Sequence, residues 1–330
     1  MTSVYETLGS KHGSKDDQLD ESLRPSRLSD FIGQPALVDN LRLDIDAARA
    51  RSEALDHVLF SGQPGLGKTT LARLIAHELG VVIHESSGPV LEKPVQLVGL
   101  LTKIEEHDVL FIDEIHRLPV AVEEYLYSAM EDGFVDVMID TGPAARSVRI
   151  DLKPFTLVGA TTREGLLAAP FRARFGVLER LEPYPDSEIQ EIIRRSSRIL
   201  GVESDDNGAE LLAKRARGTP RIANRILRRV RDVAQVLGEG KITRAIAEEG
   251  LARLGIDHHG LTALDRKIID LLAKQGGGPV GLKTVAVAVG EEEDTIEDVY
   301  EPFLIQQGII VKTPRGRELS PKGRQIAGMV

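Results

Sequence analysis

The sequence has no cysteine and no tryptophan, and aromatic residues make up only 4% of its 330 positions. Without cysteine there can be no disulfide scaffold, thiolate zinc site, iron–sulfur cluster or cysteine nucleophile. No apolar run approaches the ~18–20 residues that a membrane span needs. Met1 to Asp20 is polar and lacks the apolar core of a signal peptide, so a flexible tail is expected there and a soluble, cytoplasmic protein overall. Aliphatic residues are plentiful by contrast. Hydrophobic positions reach 42% and fall in periodic runs, which excludes wholesale disorder and suffices for two or three domains.

Net charge is −9, a balance that on average disfavours nucleic acid. Its distribution says more. Residues 291–301 hold seven acids, whereas residues 312–324 hold five bases (Lys312, Arg315, Arg317, Lys322, Arg324) against Glu318 alone. An acidic chain can still present a basic fingertip.

From about 21 to 182, short apolar runs alternate with helical spacing. Val58-Leu59-Phe60, Val81-Val82-Ile83, Val109 to Ile112 and Thr156-Leu157-Val158 are the strand candidates. Runs apolar on both faces suit parallel strands covered by helices, so the expected fold is a three-layer α/β domain. Tyr184-Pro185-Asp186 reads as a boundary. Residues 187–255 carry helical spacing almost throughout and predict a small all-α lid domain over 183–255. Residues 256–330 read as three helices, near 264–272, 281–289 and 294–307, followed by a hairpin. That is the outline of a winged helix.

Gly62-Gln63-Pro64-Gly65-Leu66-Gly67-Lys68-Thr69 fits G-x-x-x-x-G-K-[ST], with a strand before it and an amphipathic helix after it. The glycines let backbone N–H groups turn inward around a polyanion, and the helix N-terminus adds the positive end of its dipole. Lys68 is expected on the β- and γ-phosphates of ATP and the Thr69 hydroxyl on Mg²⁺. Asp108 to Glu114 supplies the partner motif. A buried strand carries Asp113 to its C-terminal end, where the carboxylate can hold Mg²⁺ through water. Glu114 can polarise the water that attacks the γ-phosphate, giving ADP. His116, close by, receives no role.

The two phosphate motifs resemble those of the AAA+ ATPases, together with Gly159 to Arg163, Phe171 to Phe175 and Gly218-Thr219-Pro220-Arg221. Within that family the chain is most similar to the RuvB group over about 21–325. Leu23-Arg24-Pro25, Phe31 to Gln34, Gly142 to Arg146 and Thr313 to Arg317 carry the closer likeness. The resemblance implies a hexameric motor that branch-migrates Holliday junctions in recombination and repair. It gives Thr162 the sensor-1 place, orienting water, and Arg174 the arginine-finger place, reaching a neighbouring subunit's nucleotide. It gives Arg221 the sensor-2 place. It puts Leu23, Arg24 and Tyr184 on the adenine side, with Gly65, Leu66, Gly67, Thr70, Glu131, Asp132 and Gly133 also against nucleotide. At Gly133 the family leads one to expect an aromatic residue. Residues 135–150 read as a hairpin, and the resemblance makes it the dock for a RuvA-like junction-binding protein, with Val137, Met138 and Ile139 as the contact; a RuvC-like resolvase is a further implied partner.

In the third domain the helix near 294–307 opens with Asp294, Glu297 and Asp298, which phosphates would repel. The bases lie on the wing, at Lys312, Arg315 and Arg317. A cationic turn grips backbone without reading base edges, so duplex binding is expected to be sequence-independent and salt-dependent. At Lys312 a RuvB-like chain would carry arginine, whose fork geometry lysine lacks. An origin-initiator ATP switch, which also joins AAA+ to a winged helix, is the alternative. A clamp-loader subunit is disfavoured by the wing.

Overall fold

Runs that are apolar on both faces become the parallel strands of one central sheet in the computed structural model, which describes residues 21–138 and 146–329. The chain divides into two compact units, Arg24–Tyr184 and a second that begins at Pro185 and takes in Glu21–Leu23 among the described residues.

In the first unit, β1 (Val58–Ser61), β2 (Ile83–Ser87), β3 (Val109–Asp113), β6 (Thr156–Thr161) and β7 (Val177–Arg180) lie in the order β2-β3-β6-β1-β7. Every pairing among them is parallel. Helices α1 (Pro35–Arg51), α2 (Lys68–Leu79), α3 (Pro94–Leu101) and α4 (Val120–Glu131) accompany the sheet. Val58, Phe60, Val109, Leu110, Leu157 and Val158 are fully buried, as strands covered on both faces should be. A separate antiparallel hairpin joins β4 (Phe134–Met138) to β5 (Ser147–Asp151).

One strand expectation is corrected and one strand was missed. In the run Val81-Val82-Ile83 the two valines precede the strand, and β2 starts only at Ile83. Gly80 closes α2 in the left-handed region at φ 73°, and the Val81 N–H returns to the Ala76 carbonyl, a helix-terminating bond that consumes these residues. The strand at β7 was not foreseen. It is a short edge strand whose side chains alternate between half-buried and exposed, unlike the solid apolar runs of the interior.

The second unit holds two bodies of helix. The first comprises α5 (Asp186–Ile199), α6 (Asp206–Arg215), α7 (Pro220–Leu237) and α8 (Arg244–Arg253), with a short parallel pair of strands, β8 (Glu203–Ser204) and β9 (Lys241–Ile242). On α7, Ile222, Ile226, Leu227, Val230 and Ala234 are buried at helical spacing, so one face packs inward. The second comprises α9 (Ala263–Lys274), α10 (Leu282–Val289), a helical stretch from Glu293 into α11 (Glu301–Gln306), the hairpin β10 (Ile310–Thr313) and β11 (Gly316–Leu319), and α12 (Pro321–Ile326). The expected helix at 294–307 is interrupted by a π-helical turn over Ile296–Tyr300. Pro302 stands two residues beyond it and has no N–H to return to the preceding turn, so the helix widens there.

These two bodies are joined by a buried ion pair. Arg217, with its side chain 3% exposed, meets Asp265, which is 0% exposed. Its Nη2 also donates to the Gly260 carbonyl at 3.0 Å, and its guanidinium lies 3.9 Å from the centroid of the Phe303 ring. Asp265 completes a capping box at the start of α9 by accepting the Thr262 N–H and hydroxyl, both at 2.7 Å.

Candidate nucleotide and DNA sites

β1 runs directly into the glycine loop, and the loop directly into α2. Gly62, Gly65 and Gly67 all have positive φ (138°, 83° and 113°). At Gly62 space forbids a side chain as well, because a Cβ would lie 2.6 Å from the Leu181 carbonyl oxygen. Lys68 is 7% exposed, and its Nζ donates to the carbonyls of Gly62 (2.7 Å) and Gln63 (3.0 Å). The ammonium therefore sits inside the loop that would wrap a phosphate chain. Leu66 is buried, and Thr69 and Thr70 are half-buried in the first turn of α2.

Tyr184 is buried, and its hydroxyl donates to the Leu66 carbonyl at 3.0 Å. The Phe31 ring lies 3.3 Å from where a Cβ on Gly67 would be. Phe31 thus joins Tyr184 against the loop, a contact that only the three-dimensional structure discloses. Arg24 is half-buried in the same unit. Leu23 and Arg221 belong to the second unit. Leu23 is buried, and its carbonyl accepts from Arg195 at 2.7 Å; Arg221 is exposed in the first turn of α7.

β3 delivers Asp113 to the C-terminal end of the same sheet, with β6 between it and the loop-bearing β1. Its Oδ1 accepts the Glu114 N–H at 2.9 Å, which fixes the carboxylate. Glu114 lies in the left-handed region at φ 51°. One Glu114 oxygen is 3.4 Å from His116 Nε2, and His116 Nδ1 is 2.9 Å from the hydroxyl of Thr161. Thr162, the next residue, lines a cleft of about 500 Å³ with Gly62, Gln63 and Arg163. No group of three or more metal-ligating side chains occurs among the described residues. Mg²⁺ carried on phosphates takes one or two protein oxygens and keeps waters; Thr69 and Asp113 are of the required kind.

Arg174 lies elsewhere in this unit. Its Nη2 donates to the Tyr127 hydroxyl, its Nη1 pairs with Glu131, and its guanidinium lies 4.6 Å from the centroid of the Tyr127 ring. The tyrosine hydrogen bond above all, and the Glu131 charge, push its pKa above the ordinary arginine value, against a smaller opposing effect of burial. Glu131, Asp132 and Gly133 thus begin beside the arginine. Gly133 has φ 69°, a conformation that suits glycine at the turn into β4 and that an aromatic residue would strain.

The wing corrects one sequence expectation. Arg315 occupies the two-residue connection between β10 and β11, is exposed, and makes no ion pair among the described residues. Lys312 is half-exposed and donates to Glu297 at 2.6 Å. Arg317, expected as a third exposed base, is only 8% exposed and pairs through two nitrogens with the buried Glu301. Its backbone also pairs with Val280, and a Cβ at neighbouring Gly316 would lie 2.4 Å from the Val280 carbonyl oxygen. Arg317 anchors the wing to the domain.

Three family models cover the chain almost end to end: the Holliday junction DNA helicase RuvB P-loop domain over residues 23–181, the RuvB AAA lid domain over 184–257 and the RuvB C-terminal winged helix domain over 258–327. The chain belongs to the RuvB family. It is 57% identical over 318 residues to the Holliday junction branch migration complex subunit RuvB of Myxococcus xanthus, covering 96% of this chain and 93% of that one. With the RuvB of Prosthecochloris aestuarii it shares 58% identity over 313 residues, covering 94% and 91%. The solved Thermotoga maritima RuvB branch migration motor superimposes with a TM-score of 0.85 at 48% identity, over 93% of this chain and 98% of that one. A RuvB-type P-loop AAA+ domain, lid and winged helix are all present, and the origin-initiator alternative is not favoured.

One RuvB expectation concerned the β4–β5 hairpin. Ile139, the segment Gly142–Ala145 and the side chain of Met138 lie outside the described residues, as do Met1–Asp20. Val137 is half-buried and packs against the hydrophobic core. Side chains alternate along a strand, so Val135 and Val137 share the inward face; cross-strand from Val137, Val148 is 46% exposed. Among the described residues no helix is long and apolar enough to cross a membrane.

Proposed function

We propose that this chain is an ATP-driven DNA motor that branch-migrates Holliday junctions in recombination and repair. The observation that carries the reading is a phosphate loop and an Asp113-Glu114 strand end built in one sheet, in a chain that shares 57–58% identity with RuvB branch migration subunits along nearly its whole length.

In this reading the loop amides and Lys68 bind the β- and γ-phosphates, and Phe31, Tyr184 and Arg24 flank the loop on the adenine side with Leu23. Thr69 and Asp113 would hold Mg²⁺, which when bound would neutralise charge at the phosphates. Glu114 takes the proton of the attacking water, and Thr162 orients that water. Arg174 acts on the nucleotide of a neighbouring subunit, with Glu131 and Asp132 beside it, and a guanidinium so placed is worth ~10³–10⁵ in rate. Arg221 senses the nucleotide from the lid. Six copies form the ring, a RuvA-like protein presents the junction, a RuvC-like resolvase follows, and the setting is cytoplasmic. Arg315 and Lys312 grip duplex backbone regardless of sequence.

The test mixes two inactive variants, Lys68→Ala and Arg174→Ala. A shared site predicts recovery of DNA-stimulated ATP turnover in the mixture, because some seams pair an intact loop with an intact arginine. No recovery at any ratio refutes the shared site.

A further inference from the structure

We propose that His116 is a positioning residue that holds Glu114 in the attitude needed to activate water; this deepens the hydrolysis assigned above and rests on Glu114 being the base. The observations start with the backbone. Glu114 adopts φ 51° and ψ 43°, a left-handed conformation that a side-chain-bearing residue keeps only when its surroundings impose it. They do so here. The Glu114 carbonyl accepts the Arg117 N–H at 2.9 Å, and Gly88 approaches so closely that a Cβ there would stand 2.4 Å from that carbonyl oxygen. The strand direction is thereby broken immediately after Asp113, and the Glu114 side chain leaves on a different heading.

The 3₁₀ turn Ile115–Arg117 then brings His116 back alongside. Its side chain is 7% exposed, while that of Glu114 is 37% exposed. A buried imidazole therefore stands behind a carboxylate that still reaches solvent. Its far side is tied to the neighbouring strand. Thr161 is fully buried at the end of β6, and its hydroxyl oxygen already accepts the Arg163 N–H at 3.0 Å. If that hydroxyl donates to Nδ1, the one ring proton of a neutral imidazole sits on Nε2 and faces the Glu114 oxygen 3.4 Å away. This is the tautomer that gives each group a complementary partner. The 3.4 Å contact is long for a hydrogen bond, and catalytic contacts of this kind tighten once substrate is bound. The anchor is also next to the proposed water-orienting residue, since Thr161 precedes Thr162. His116 thus links the strand bearing the base to the strand bearing Thr162.

Four variants test this: His116→Phe, His116→Gln, Thr161→Val and Glu114→Gln. Each is assayed for steady-state ATP turnover at saturating duplex and for affinity toward a fluorescent ATP analogue. Misplacing a reacting group by about 1 Å can cost on the order of 100-fold. His116→Phe, which keeps the ring's bulk without its nitrogens, is therefore expected to lower kcat by ~10–100-fold with affinity unchanged within about twofold. His116→Gln retains a donor near Nε2 and should recover most of that loss. Thr161→Val should fall between them, and it carries the test if the phenylalanine does not fold. Wild-type turnover in both His116→Phe and Thr161→Val, or a parallel loss of nucleotide affinity, overturns the positioning role. Undiminished turnover in Glu114→Gln would instead remove the base itself, so the two failures are distinguishable.

Discussion

Arg217 and Asp265 offer the sharpest energetic test of how the lid and the winged helix are joined. With side chains 3% and 0% exposed, neither charge is screened by water, and no discount for solvent applies. Asp265→Asn keeps an acceptor for Thr262 but removes the charge facing Arg217. Breaking a buried pair from one side costs about 3–5 kcal/mol, because the remaining charge stays desolvated and unpaired. At ~2–4 °C per kcal/mol for a unit of this size, that amounts to a fall of roughly 6–20 °C in Tm. Arg217→Met leaves apolar bulk over Phe303 and should cost a similar amount. The double variant removes both charges and should lose clearly less than the sum, by at least ~2 kcal/mol of coupling. With no tryptophan in the chain, urea unfolding is best followed by circular dichroism. Single variants within about 1 kcal/mol of the parent, or strictly additive losses, would refute the argument. Function supplies a second readout. Arg217 lies four residues before Arg221, so a loosened pair should let the lid respond to nucleotide while the wing lags, and less junction should migrate per ATP consumed.

Three further outcomes are expected. Tyr127→Leu removes both the hydroxyl and the ring that hold Arg174, and should cut ATP turnover at least ~10-fold while leaving its own phosphate loop intact; mixing it with Lys68→Ala should restore turnover, and failure of that mixture where Arg174→Ala complements would count against Tyr127. Arg315→Ala should weaken duplex binding for all sequences alike and lower the salt slope by about 1, whereas Glu297→Gln should strengthen binding; fluorescence anisotropy across a salt series reads both. His57 is held below its ordinary pKa of 6.5 by burial, against smaller opposing effects from the Met130 backbone and Asp56, while its Nδ1 accepts the Leu157 N–H at 2.9 Å. The unfolded chain binds that proton more readily, so stability should drop as pH falls through 6.5 toward the lowered value; urea midpoints at pH 7.5 and 5.5 should converge in His57→Asn, and an unaltered gap would exclude His57 as the source.

What could be read from the sequence was local. The phosphate loop needs glycines, a lysine and a helix start within eight residues, and the strand ending in Asp113-Glu114 announces itself by apolar residues on both faces. The three-layer domain, the helical lid and the wing follow from periodicity for the same reason. What could not be read depends on partners distant along the chain. His116 meets a threonine 45 positions away, Arg174 a tyrosine 47 away, and Tyr184 a carbonyl 118 away. No spacing rule encodes such meetings. Arg317 is the clearest failure. In a run of bases it reads as solvated charge, yet the chain folds Glu301 onto it from 16 residues upstream and draws it inside.

That burial changes the meaning of the acidic helix beside the wing. Counted as charges along the sequence, Glu297 and Glu301 would repel a duplex. In space, Glu301 is neutralised by Arg317, and Glu297 stands 2.6 Å from Lys312 and 3.8 Å from Arg317. Residues four apart share a helix face, which is why both carboxylates turn to the hairpin together. The wing therefore offers phosphate Arg315, which has no ion-pair partner among the described residues, and Lys312, whose carboxylate must first be displaced. A phosphate arriving at Lys312 exchanges one anion for another, so the net gain in free energy is smaller than an unpaired lysine would give. Lysine suits such an exchange, because its compact ammonium swaps partners without the fixed fork geometry of arginine. In the motor proposed above, a grip built this way would be weak, indifferent to bases and quick to release, as stepping along duplex of any sequence requires.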